Sequence, residues 1–88
     1  MKIFVIYESN GFIWNCTHNS FQSAVDAVMR YLDQENQRAF KDGFFEDHED
    51  RPAKLETNFT YKDEQGGVLV AHNELEKMST FVKELSTY

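Results

Sequence analysis

Cysteine, basic charge, long apolar runs and catalytic signatures are all scarce in this chain of 88 residues. Cys16 is the single cysteine, so no internal disulfide can form and a reducing compartment is expected. The N-terminal apolar run Ile3–Tyr7 meets Glu8 too soon to form a secretion-signal core. No stretch approaches the length needed to cross a bilayer. Lys and Arg number nine against fifteen Asp and Glu, a net charge of −6. That balance disfavours direct binding to nucleic acid, whose phosphates it would repel. Gly66-Gly67 lacks the pattern of a phosphate-binding loop. Asn15-Cys16-Thr17 and Asn58-Phe59-Thr60 match glycosylation acceptors, which have no meaning without secretion.

What is present is enough for one packed domain. Hydrophobic residues make up 41%, and eight Phe, four Tyr and one Trp are many for this length. That much apolar surface offsets the entropy of ordering a single core. The excess acid is concentrated in Asp42–Asp50, which carries Asp42, Glu46, Asp47, Glu49 and Asp50 around Phe44 and Phe45. Without it, ten acids face nine bases and the body is nearly neutral.

On each side of that segment the pattern reads as a hairpin followed by a helix. Lys2–Glu8 and Phe12–His18 are strand-like, and Asn10-Gly11 between them supplies a hairpin turn. A two-residue turn would set Tyr7 opposite Trp14, Val5 opposite Cys16 and Ile3 opposite His18. Ile3, Val5, Tyr7, Phe12, Trp14 and Cys16 would then form the core face, leaving Phe4, Ile6 and Ile13 on a face that needs a cover. Asn19, or Ser20 one residue later, caps a helix whose apolar stripe is Phe21, Ala24, Val25, Val28, Tyr31 and Leu32. Beyond Leu32 the polar Asp33–Gln37 marks either a break or a continuation to Gly43, a suitable terminator.

Pro52 holds Arg51 extended, and Lys54–Lys62 alternates, with Leu55, Thr57, Phe59 and Tyr61 on one side. Asp63–Gly67 is a turn and Val68–His72 a strand covered on both faces. Asn73-Glu74-Leu75-Glu76 resembles a second capping box, followed by the stripe Leu75, Met78, Phe81, Val82 and Leu85. The expected architecture is α+β in two layers: a four-stranded antiparallel sheet, ββα-ββα, with two helices on one face. Residues 1–88 form one domain, with 1–41 and 54–88 as its halves and 42–53 as the acidic connection.

Candidates for chemistry are few. Cys16 and His18 share a strand face, but that face is the expected core and no third residue orients the pair. Asp47, His48, Glu49 and Asp50 lack any metal-binding spacing. Glu8, Glu35 and Glu76 are separate carboxylates that nothing in the sequence brings into one pocket. No catalytic residue, metal or cofactor is assigned. Asp42, Phe44, Phe45, Glu46, Asp47, Glu49 and Asp50 are the candidate partner-binding residues, as aromatic anchors ringed by charge suit a basic protein surface. The alternative for Phe44 and Phe45 is burial beneath the sheet.

In size, acidity and absence of catalytic motif, the chain resembles small phage and mobile-element proteins that block host defences, anti-CRISPR proteins among them. The resemblance implies a non-enzymatic, cytoplasmic inhibitor or adaptor, acting in the host cell if phage-encoded. It would present carboxylates to a basic, nucleic-acid-binding effector, without membrane or direct nucleic-acid contact. The alternative is a small homodimeric regulatory or assembly module joined through Phe4, Ile6 and Ile13.

Overall fold

The computed structural model describes residues 2–43 and 52–86. The chain runs through strands β1 (Lys2–Glu8) and β2 (Ile13–His18), helix α1 (Phe21–Lys41), and strands β3 (Ala53–Leu55), β4 (Val68–Asn73) and β5 (Met78–Ser86). The strands form one antiparallel sheet in the order β2-β1-β5-β4-β3. Among the described residues, one helix and five strands replace the expected two helices and four strands, so the fold is α+β with a different architecture.

The difference lies in residues 73–86. Asn73 Oδ1 accepts hydrogen bonds from the backbone N–H of Leu75 (3.0 Å) and Glu76 (3.2 Å). Such bonds serve a helix N-cap and a tight turn equally well. Here they close a turn that ends with Lys77 in the left-handed region, φ 52°, and the chain reverses into β5. Thr80-Phe81-Val82 then favours extended backbone. Val82 faces the helix and Phe81 the opposite side. A strand buried on both faces loses its clean alternation, and its apolar positions coincided with a helical spacing.

β5 closes the domain because it inserts between β1 and β4. Its ladder with β1 runs from Lys2 opposite Ser86 to Glu8 opposite Thr80. The first and last strands therefore share the centre of one sheet, and the halves are not separate hairpin-helix units.

Helix α1 starts at Ser20, whose Oγ accepts from the N–H of Ser23 at 3.1 Å. It runs unbroken through Asp33–Gln37 and ends at Asp42 and Gly43, where Gly43 takes φ 79°. Ala24, Val25, Val28, Leu32, Asn36 and Ala39 are its buried face. Ala24, Val25, Val28 and Leu32 pack in one core with Ile6, Val70, Ala71 and Val82. Ile6, Val28, Val70 and Val82 are the largest fully buried side chains, each contributing on the order of 1.5–3 kcal/mol.

Asn36 explains why the polar stretch stays helical. Its Nδ2 donates to the carbonyl of Ala53 at 2.8 Å, and its Oδ1 accepts from the Ala53 N–H at 2.9 Å. One buried amide thus ties the helix to the backbone of the edge strand β3.

Two registers also depart from expectation. The first hairpin turns through three residues: the Glu8 N–H donates to the Phe12 carbonyl at 2.8 Å, and Gly11 takes φ 93°. Tyr7 is therefore opposite Ile13, and an irregularity in β2 then sets Val5 opposite Thr17 and Phe4 opposite His18. The face assignments invert for β1. Phe4 and Ile6 lie under the helix, while Val5, Tyr7 and Ile13 lie on the other face.

The second hairpin is interrupted. After Leu55 the ladder continues through Glu56 N–H to the Val70 carbonyl (2.8 Å), breaks over residues 57–60, and resumes with Leu69 N–H to the Tyr61 carbonyl (2.9 Å). The excursion lets Phe59 meet the ring of Phe21 edge-on at 5.5 Å, and Phe21 meets Phe4 at 6.3 Å.

Candidate functional site

The C-terminal half of α1, the end of β1, the start of β2 and the β4–β5 turn meet at one end of the molecule. Two recesses open there. The first, about 270 Å³, is lined by Glu35, Arg38, Ala39 and Asp42 of the helix region, with Pro52, Asn73, Leu75 and Glu76. The second, about 370 Å³, is lined by Glu8, Phe12, Trp14, Asn15, Cys16 and Tyr31. The helix stripe carries Tyr31 to the edge of the core, where its ring meets Trp14 edge-on at 5.2 Å.

The carboxylates of this end act on one another. Burial raises the proton affinity of Glu8, and the charges of Glu76 and Glu35 raise it further, while a hydrogen bond from the Trp14 side chain opposes them. Tyr31 is pushed up to about 12 by burial and then by Glu35, Glu8 and Glu76, with Arg38 pulling the other way. Arg38 Nη1 lies 3.6 Å from Glu35 Oε1. Lys41 in the last turn of the helix and Lys77 in the β4–β5 turn add positive charge nearby. Burial and the charges of Glu35 and Glu76 thus act in the same direction on the carboxyl and the phenol of the aromatic recess.

Glu8, Glu35 and Glu76 had no sequence signal linking them, since they come from a strand end, a helix and a turn. The tertiary fold alone assembles them. Trp14 and Tyr31 read as core positions from their spacing, and only their half-burial reveals them as walls of a recess.

Asp42 is the helix C-cap and is exposed. Phe44, Phe45, Glu46, Asp47, Glu49 and Asp50 lie outside the described residues. Asp42 and Pro52, on either side of them, line the same recess. Phe4, Ile6 and Ile13 do not share a face: Ile6 is fully buried beneath the helix, Phe4 is half-buried against Phe21, and Ile13 is 66% exposed on the opposite side.

Cys16 is exposed and not in the core. Its Sγ lies 3.6 Å from His18 Nε2, and His18 Nδ1 lies 3.0 Å from Ser23 Oγ. Ser23 is the orienting residue that the sequence did not single out. Among the described residues, no group of three or more His, Cys, Asp or Glu side chains is arranged to hold a metal ion. No helix among them is long and apolar enough to cross a membrane.

No protein-family model matches the chain, and neither the curated proteins nor the solved structures contain a match to it.

Proposed function

We propose that the protein is a non-enzymatic binding module that presents carboxylates to a basic surface of a partner protein. The observation that carries this reading is Glu8 in the wall of the Trp14–Tyr31 recess, with Glu35 and Glu76 in the wall of a second recess, close enough for their charges to act on it. Asp42 and Pro52 line the same recess as Glu35 and Glu76. The carboxylates of Glu8, Glu35, Asp42 and Glu76 add into one negative field, and exposed aromatic surface beside them supplies anchors. Cationic grooves of this kind belong typically to nucleic-acid-binding proteins, so an effector of that class, inhibited in an anti-CRISPR-like manner, is the partner the chemistry suits.

The test is affinity capture with the tagged protein, followed by binding kinetics of the captured partner. Replacing Asp42, Glu46, Asp47, Glu49 and Asp50 by their amides should leave the fold nearly unchanged, as each amide keeps the shape of its side chain and the charge of exposed Asp42 contributes little to stability. Association should slow markedly, and the wild-type rate should fall as salt rises. Wild-type affinity and salt dependence in the amide variant would sink the reading.

A further inference from the structure

We propose that the recess formed by Glu8, Phe12, Trp14 and Tyr31 receives an arginine side chain projecting from the basic partner. This rests on the binding function above and names the group recognised at its centre.

Three features select a cation. The recess joins aromatic walls to a carboxylate: Phe12 is 57% exposed at its rim, and Trp14 pairs with Tyr31 inside. A cation against an indole or phenol face is attracted by the ring quadrupole, and tryptophan is the strongest partner. Glu8 stands in the same wall, with Glu35 and Glu76 near enough to act on it. An anionic ligand would meet Glu8 directly and the charges of Glu35 and Glu76 beyond it, and a neutral apolar one would strand Glu8 away from water without a counter-charge.

Guanidinium suits this recess better than ammonium. It is planar, stacks on aromatic rings, sheds water more readily and bonds carboxylates through a fixed fork of donors. A guanidinium beside Glu8 would offset the repulsion that Glu76 and Glu35 impose on it.

The recess carries its own reporters, because Trp14 is the only tryptophan and Cys16 the only cysteine of the chain, and both line it. The probes are the peptide acetyl-Lys-Lys-Arg-Lys-Lys-amide and its twin with citrulline in place of arginine, which keeps the shape and removes one charge. The full chain should bind the arginine peptide about five- to tenfold more tightly. Only that peptide should change Trp14 fluorescence saturably and slow alkylation of Cys16 by N-ethylmaleimide. In Glu8→Gln and in Trp14→Leu, both peptides should bind alike and Cys16 should lose its protection.

If both peptides bind the wild type in a salt-sensitive way but shield Cys16 equally, the arginine recess is wrong and the broader acidic-surface reading stands. If neither binds, both fail. If the arginine peptide alone shields Cys16 while the amide variant keeps wild-type affinity for the captured partner, the recess stands and the broader reading falls.

Discussion

The hydroxyl of Tyr7 donates to Asp63 Oδ1 at 2.7 Å, joining positions 56 residues apart. The same oxygen accepts from the N–H of Gln65 (3.0 Å) and of Gly67 (2.9 Å). Asp63 thus shapes its own turn and fastens it over the sheet face that lacks a helix. The Tyr7 ring in turn stacks on Phe81, centroids 5.2 Å apart. Burial first, and then Asp63, push the Tyr7 phenol up to about 12, and the Tyr7 hydrogen bond leads the causes that hold the Asp63 carboxyl below its ordinary value.

Alkali should therefore loosen this contact. A phenol whose folded value exceeds its unfolded value of 10 contributes stability that is complete below pH 10 and lost as pH rises through about 12. Tyr7→Phe should lower stability at neutral pH by about 1 kcal/mol. It should also flatten the alkaline loss, leaving the part due to Tyr31. Urea denaturation at a series of pH values measures both effects. An unchanged alkaline limb in Tyr7→Phe would show that the bond does not govern it.

Acid acts on the same pair from the other side. The Asp63 carboxyl, held low, contributes stability that is present above its unfolded value of 3.8 and lost as pH falls through its folded value. Asp63→Asn should remove that acid-sensitive contribution, and the acid limb of stability against pH should become shallower.

Gly67→Ala should cost about 1–3 kcal/mol through overpacking. A Cβ there would overlap the Tyr7 phenol, with the hydroxyl oxygen nearest. Its cost should shrink in a Tyr7→Phe background, and a double-mutant cycle measures the difference. Strict additivity would mean that the turn relaxes away from Tyr7.

Asn36→Ala removes both partners of the Ala53 backbone, groups that are buried at the edge of the sheet. The expected loss is about 2–4 kcal/mol, two hydrogen bonds with their desolvated groups left unpaired. Amide exchange at Ala53 should accelerate before exchange in β1 or β5. Equal acceleration throughout would mean that Asn36 supports the whole fold and not its edge.

Glu8→Gln should stabilise the protein at neutral pH. A carboxyl with a raised folded value favours the fold at low pH and weakens it as pH rises from its unfolded value of 4.5. The gain in melting temperature should be present at pH 7 and vanish well below pH 4.5. The same variant should lose arginine binding, so stability and recognition would move in opposite directions.

The local chemistry of the sequence was largely legible. Gly11, Gly43 and Asp63–Gly67 act where their backbone preferences place them, the helix is capped by Ser20 and not by Asn19, and the stripe Ala24, Val25, Val28 and Leu32 is the buried helix face. The failures share one cause. Asn73 bonds the two following amides in a turn as it would in a helix, so the fate of residues 78–86 depended on an edge of β1 lying far away in the chain. The turn length at Ser9–Gly11 had the same force, since one residue more exchanged the two faces of β1.

By itself the sequence determined the net charge, its concentration in Asp42–Asp50, and the left-handed positions Gly11, Gly43 and Gly66 at which the chain turns. These depend on side-chain charge and on φ preferences that neighbours do not override. The tertiary structure decided that β5 fills the centre of the sheet, that Asn36 holds the far edge, and that Glu8, Glu35 and Glu76 share one end with Trp14 and Tyr31. Those outcomes depend on which distant surfaces bury each other, and no local spacing encodes that choice.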